Sequence, residues 1–327
     1  MARSLTARAE SWPLIEPFVI SRLTQTVAEL ALVEIAEDGL VGRGESERAE
    51  VFDAAAPKTL DAIESARAAI EAGIGRDDLR EAMPAGAGRS AVDAALWDLE
   101  AKRAGRPAWE LAGLAPPTPI LTAYTIGLGT PEVMGAAAAR NAARPLLKLK
   151  LGGAGDLDRV AAVRAAAPGA RLIADANQAW DGALLEPNLR GLAEAGVEVL
   201  EQPLPPALEH LLAGVERPLP VCADESFTDA ASLPALIGRY DCVNIKLDKA
   251  GGLTESLALA KAARAAGLGV MVGCMVGTSL SMAPALLVAG LADFVDLDGP
   301  LLLAKDREPG LTYRGSLIDP APPELWG

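Results

Sequence analysis

The stretch Leu147-Lys148-Leu149-Lys150-Leu151, closed by Gly152-Gly153, governs the reading of the whole chain. Apolar and basic residues alternate at the period of a strand, which sends both ammonium groups to one face and the three leucines to the other. By itself such a strand is an exposed sheet edge with its lysines in water. It acquires a function only if neighbouring segments put the lysine face inside a structure and place anions beside it.

Those segments are strongly ordered. After a linker at 113–119 that contains Pro116, Pro117 and Pro119, short apolar runs alternate with alanine-rich helical stretches. Eight strands are expected, at 120–126, 146–151, 171–174, 197–200, 219–223, 242–245, 269–272 and 294–297. Asp175, Glu201, Asp224 and Lys246 follow Lys150 at intervals of 25, 26, 23 and 22 residues, and Asp296 comes 50 later, with Gly273 between. One strand, one helix and two loops need about 24 residues, so the spacing predicts an α/β fold of the (β/α)8 barrel type.

Ahead of the linker the pattern differs. Residues 27–35 are β-rich, and Asp38-Gly39 is a hairpin signal leading into Leu40-Val41-Gly42. Helical periodicity follows at 57–72 through Leu60, Ile63 and Ile70, and at 89–103 through Val92, Ala95, Leu96 and Leu99. This predicts an α+β domain over 1–115 and a barrel domain over 118–305, while the β character of 310–318 suggests that 306–327 returns to the first domain.

Composition narrows the function. The chain has 327 residues, half of them hydrophobic, and 30 basic against 44 acidic side chains give a net charge of −14. That disfavours nucleic acid and anionic membrane surfaces as partners and favours a cation or a positive ligand. Cys222, Cys242 and Cys274 are odd in number and form no Cys-x-x-Cys pair, which fits a reducing, cytoplasmic setting. His210 is the only histidine, so lysines and carboxylates must carry any acid–base work. Residues 1–20 lack the apolar run of a signal peptide, and the uncharged stretch 268–292 is broken by Gly273, Gly277 and Pro284, as a buried strand, turn and helix would be.

In a barrel of this kind the C-terminal strand ends meet at one mouth. Here they carry Lys148 and Lys150; Asp175 and Asn177; Glu201; Asp224 and Glu225; Lys246; Cys274 and Met275; then Asp296 and Asp298. Asp175, Glu201 and Asp224 come from consecutive strands and cannot all ionise together without a cation, which predicts a site for one hard divalent ion such as Mg²⁺. Lys150 and Lys246 flank that row on either side. A desolvated lysine near a cation has its charged form disfavoured, and two such bases on opposite faces of one carbon can invert it.

The set Lys-x-Lys, Asp-x-Asn, Glu-Gln-Pro, Asp-Glu-Ser and Asn-x-Lys, together with 89–99 (Arg-Ser-Ala-Val-Asp-Ala-Ala-Leu-Trp-Asp-Leu), resembles the enolase superfamily and its muconate-lactonising subgroup over about two-thirds of the chain. The resemblance implies a modified TIM barrel of (β/α)7β type under an N-terminal α+β capping domain, with Mg²⁺ stabilising an enediolate, the generic chemistry of that superfamily. Asp296-x-Asp298 is similar to the pair that receives the α-ammonium in dipeptide epimerases of the L-Ala-D/L-Glu type. It implies a small dipeptide substrate, Lys150 and Lys246 as the two bases, and Lys148 against the substrate carboxylate. Arg22 becomes a candidate for an acidic side chain, Cys274 and Met275 for lining, and Asn177 and Glu225 for support of the metal ligands. A cycloisomerase or lyase of the same superfamily (muconate cycloisomerase, o-succinylbenzoate synthase or N-acylamino acid racemase type) would use the same lysines with less need for two further acids. A binding protein without catalysis would need no lysines on both flanks. The resemblance leaves homo-oligomerisation open. The stretch from Gly44 to Val51 is shorter than the loop such relatives imply, so the choice of dipeptide is open too.

Overall fold

A computed structural model describes residues 2–51 and 58–327 of the chain. Its N-terminal strands β1 (Ser4–Ile20), β2 (Leu23–Glu37) and β3 (Leu40–Glu47) form an antiparallel sheet in that order. The turn between β2 and β3 has Asp38 at φ 51° and Gly39 at φ 85°, the mirror-image turn that suits the twist of a hairpin. β1 escapes the sequence reading because Pro13 and Pro17 interrupt its alternation. The register with β2 shifts between Pro13 and Phe18, as an edge strand tolerates.

The periodic stretch 89–103 is the helix Ala87–Ala104, seated on this sheet. Gly42 and Gly44 make the contact possible, since a Cβ on Gly44 would lie 2.0 Å from Ala91 O. The stretch 57–72 divides at Ala66 into two helices, Thr59–Ser65 and Arg67–Glu71, with Ile63 and Ile70 buried; Pro57 lies outside the described residues.

The strand expected over 120–126 is split. Its first part, β4 (Ile120–Leu121), leaves the barrel to pair with a C-terminal hairpin, while Tyr124–Ile126, β5, opens an eight-stranded parallel sheet. The others follow in chain order: β6 (Leu146–Lys150), β7 (Arg171–Asp175), β8 (Val197–Glu201), β9 (Val221–Ala223), β10 (Cys242–Ile245), β11 (Gly269–Gly273) and β12 (Phe294–Asp296). The first and last strands are bridged rather than laddered, through Ala123 N to Val295 O at 2.9 Å and Leu297 N to Thr122 Oγ1 at 2.7 Å. The barrel is thus nearly closed. A 3-10 segment, Pro206–Gly214, replaces the helix after β8, and only one helical turn, Gly299–Leu302, follows β12. β13 (Tyr313–Arg314) and β14 (Leu317–Ile318) form the C-terminal hairpin, and β14 carries β4.

The alternation in β6 resolves as two buried faces. Leu147, Leu149 and Leu151 pack outward under the helices, whereas Leu146 joins Ile173, Val199, Cys222, Cys242 and Met271 in a layer filling the barrel interior. Both lysines stand above that plug. Residues 268–292 become β11 and the buried helix Ser279–Ala289, and among the described residues no helix is long and apolar enough to cross a membrane.

The helix Ala87–Ala104 is tied to the barrel by polar side chains. Asp93 accepts from Thr254 N at 3.1 Å and Thr254 Oγ1 at 2.6 Å at the start of helix Leu253–Ala265; Arg89 donates to Ala250 O at 2.7 Å and Gly251 O at 3.1 Å. From the chain's end, Trp326 Nε1 donates to Ala94 O and Gly327 N to Asp98 Oδ1. Burial pushes the Asp93 carboxyl up to about 6, against the pull of the Thr254 bonds. A native state that holds this proton longer than the unfolded chain loses stability as pH rises from about 4 to about 6, then levels off. Asp93→Asn will therefore flatten that part of the stability–pH curve, read as urea midpoints for both proteins at each pH.

Candidate active site

The strand ends converge above the interior plug. Register places Lys150 beside Asp175 and Asp175 beside Glu201, with Asp224 just beyond β9 and Lys246 just beyond β10. Asp175, Glu201 and Asp224 are all buried, as are both lysines. None of the three acids caps the following helix: Asp181 caps Gly182–Glu194, and Pro205 and Ser232 precede the next two segments.

Each acid leans on an ammonium group. Lys150 Nζ lies 2.6 Å from Asp175 Oδ2, and Lys246 Nζ 2.7 Å from Asp224 Oδ2. Lys148 Nζ is shared among Glu201 Oε2 at 2.6 Å, Asp296 Oδ2 at 2.7 Å and Asp175 Oδ2 at 3.4 Å. Burial works against Lys246 staying charged, yet Asp224 and Glu201 overcome it and hold its pKa above the ordinary value. Burial would also raise Asp224, but Lys246 and Lys249 hold it well below the carboxylate range, while burial and Asp175 push Glu201 up to about 7.

These oxygens fit a hard divalent cation. Glu201 Oε2 is buried and pairs with Lys148 at 2.6 Å without hydrogen-bond geometry, and burial, then the Asp175 carboxylate, raises its pKa. Among the described residues no three such side chains already close on one point, and each of the three acids is paired with a lysine. Three carboxylates on successive strand ends, all oxygen donors, are the set that Mg²⁺ takes, and Asp175, Glu201 and Asp224 would hold it.

The eighth strand's acids have divergent partners. Asp296 bonds Lys148, and its Oδ1 is buried without a hydrogen bond; Asp298 Oδ2 accepts from Thr125 N at 2.6 Å across the barrel seam, although it precedes helix Gly299–Leu302 and makes no cap bond to it. Burial, then Asp296, pushes Asp298 up to about 7. Cys274 and Met275 line the same cavity of about 330 Å³, and burial raises the Cys274 thiol well above its usual value. His210 is exposed on Pro206–Gly214 and is not among the cavity's lining residues.

The β1–β2 hairpin covers the mouth, with Phe18, Ile20 and Leu23 lining it. At its tip Ser21 Oγ donates to Asn177 O at 3.2 Å, and Arg22 pairs with Glu225 at 2.6 Å. Asn177 has φ 43° and donates its N–H to Asp175 Oδ1 at 2.9 Å. The stretch from Gly44 is less a loop than a strand end: Glu45 and Glu47 belong to β3, buried, accepting from Thr278 N at 2.8 Å and Val276 N at 3.0 Å.

Sequence reasoning missed several residues here. Asn244 Nδ2 donates to Glu201 Oε1 at 2.7 Å; standing two before Lys246, it shares that residue's inward side by strand period, a signal that was available. Lys249, one helical turn beyond Lys246, bonds Asp224. Thr125 carried no signal, because it acts through its backbone N–H on a side chain from another strand, and Gln202, quoted only within Glu-Gln-Pro, gave no sign of the partners it meets.

An enolase-type barrel with this constellation defines the class of protein. Residues 2–113 match the mandelate racemase/muconate lactonizing enzyme N-terminal domain and residues 133–302 the enolase C-terminal domain-like family, and the chain belongs to that superfamily. It is 42% identical to the L-Ala-D/L-Glu epimerase of Escherichia coli (strain K12), over 95% of this chain and 98% of that one. It is 44% identical, over 76% of this chain and 79% of the other, to an N-acetyl-D-glutamate racemase from a Pseudoalteromonas species. An enolase family member from Agrobacterium tumefaciens with homology to dipeptide epimerases, solved with sodium and L-Ala-L-Glu, superposes with a TM-score of 0.97 at 48% identity, covering 99% of this chain and 100% of that one. The dipeptide epimerase of Enterococcus faecalis V583, complexed with Mg and L-Leu-L-Tyr, does so at 0.90 and 30% identity, over 98% of each chain.

Proposed function

We propose that this chain is a Mg²⁺-dependent dipeptide epimerase, an isomerase that inverts the α-carbon of the C-terminal residue of a dipeptide such as L-Ala-L-Glu. The observation that carries the reading is the placing of Lys150 and Lys246 on opposite flanks of one row of buried carboxylates. When bound at Asp175, Glu201 and Asp224, Mg²⁺ supplies Lewis-acid stabilisation of the negative charge that gathers on the substrate carboxylate as the α-proton leaves. Lys150 takes that proton from one face as the free amine, and Lys246 returns one to the other face as the ammonium; the opposite direction exchanges their parts. Lys148 steadies the same negative charge. Asp296 and Asp298 accept the dipeptide's α-ammonium in charge-assisted hydrogen bonds, with Cys274 and Met275 beside it. Asn177 and Glu225 brace the strand ends, and Arg22 turns from Glu225 to an acidic side chain on the second residue.

The N-terminal domain, 1–115 with the tail 306–327, serves as the cap over a barrel of 118–305, and its hairpin keeps water from the reacting carbon. A cytoplasmic enzyme acting on a small molecule, without nucleic acid or membrane, suits the acidic charge and unpaired cysteines.

Incubation with L-Ala-L-Glu and Mg²⁺ in D₂O tests the reaction: deuterium at the glutamate α-carbon and loss of stereochemical purity are expected. Exchange of N-acetylglutamate but of no dipeptide would move the reading to an N-acylamino acid racemase. Asp298→Asn separates the roles of that acid. It should lower kcat/KM for the dipeptide about thirtyfold or more, the cost of removing one partner of a buried charge pair, and leave Mg²⁺ affinity nearly unchanged. Equal losses of both would assign Asp298 to closing the seam at Thr125.

A further inference from the structure

Gln202, which follows Glu201, plays no part in the reaction above, yet it ties together the ends of all three acid-bearing strands. Its N–H donates to Cys222 O at 2.9 Å and its carbonyl accepts from Gln178 N at 2.8 Å. Its side-chain Oε1 accepts from Asp224 N at 2.9 Å and Ser226 N at 3.3 Å. Nε2, with two hydrogens to donate, is directed into a closed cage of four acceptors: Leu204 O at 3.0 Å, Ser226 Oγ at 2.9 Å, Tyr240 OH at 3.0 Å and Glu209 Oε1 at 3.1 Å. Glu209 is a buried carboxylate whose oxygen is satisfied by neutral donors alone, Gln202, Tyr240 OH at 2.6 Å and Ser226 Oγ.

The backbone at Gln202 has φ 34°, left-handed for a residue with a side chain, and Gln178, its partner, has φ 66°. Such conformations cost roughly 1–3 kcal/mol each and persist where surrounding bonds over-determine them. Here an amide with no solvent exposure is held at both ends, one end on the Asp224 backbone and the other on Glu209.

We infer that Gln202 is a positioning residue for the cation site: its amide, polarised by Glu209, sets Asp224 relative to Glu201 and so tunes Mg²⁺ affinity. The inference rests on the proposed metal reading, and calorimetric titration of the full-length protein with Mg²⁺ tests it without a substrate. Gln202→Glu keeps the acceptor for Asp224 N but turns a second oxygen toward Glu209. Mg²⁺ should then bind about tenfold or more weakly, the usual loss when an outer partner of a metal ligand is mutated, because the two facing carboxylates shift the residue that holds Asp224. Turnover at saturating Mg²⁺ should stay within a few-fold of the parent. The exchange Gln202→Glu/Glu209→Gln restores a donor facing an acceptor and should bring the affinity back. Tyr240→Phe, a milder change that keeps the ring, should weaken Mg²⁺ about threefold through the loss of one neutral hydrogen bond.

Unaltered Mg²⁺ affinity in Gln202→Glu overturns the inference, as does a folded double variant that fails to recover. If Gln202→Glu does not fold, unaltered affinity in Tyr240→Phe overturns it and a weakened one supports it. A parent protein that binds no Mg²⁺ defeats the metal reading and the inference together. One that binds Mg²⁺ but turns over no dipeptide defeats only the proposed reaction.

Discussion

Lys246→Met will abolish epimerisation of both stereoisomers of the C-terminal residue, by up to about 10⁴-fold, the upper range for removing a positioned acid–base group. The same protein will still exchange the α-proton of one stereoisomer with D₂O, because Lys150 retains access to its own face. Lys150→Met will show the mirror result, exchange of the other stereoisomer only. The split follows from geometry: Lys150 stands on β6 against Asp175 and Lys246 beyond β10 against Asp224, with the carboxylate row between. Proton NMR in D₂O on each pure stereoisomer reads it directly. If either variant still exchanged both, one lysine would serve both faces and the two-base assignment would fall.

Asp224→Asn is the second large effect, with two readouts. Mg²⁺ affinity should fall by more than the roughly 10–100-fold that loss of an outer partner costs. Stability in EDTA should fall too, by about 3–5 kcal/mol, since Lys246 and Lys249 lose the carboxylate that pairs both of them. Glu201→Gln will separate the two effects. Mg²⁺ binding will suffer similarly, but the cost in EDTA will be smaller, because Asp296 and Asp175 still hold Lys148 and the repulsion from Asp175 is relieved. Urea midpoints in EDTA and calorimetry with Mg²⁺ measure the two columns. An Asp224→Asn protein as stable as the parent in EDTA would mean that water, not the carboxylate, balances those ammonium groups.

Why some of this was legible in one chain and some was not follows from the range of each interaction. The two-residue period of 147–151 determines that Lys148 and Lys150 share a face, and the recurrence of charged residues every 22–26 positions determines a barrel whose strand ends meet. Asp175, Glu201, Asp224, Lys150 and Lys246 were therefore readable as one constellation, each being defined by its place on its own strand. Strand β1 was not, because its prolines break the only local signal a strand has, and it holds by pairing with β2. Only the tertiary structure decided that Lys148 divides itself among Glu201, Asp296 and Asp175, that Arg22 rests on Glu225, and that Asp298 closes the seam on Thr125. Local sequence determines which side of a strand a charge leaves from; the partner it reaches depends on the closure of the barrel, which sets side-chain ends from distant strands a few ångströms apart.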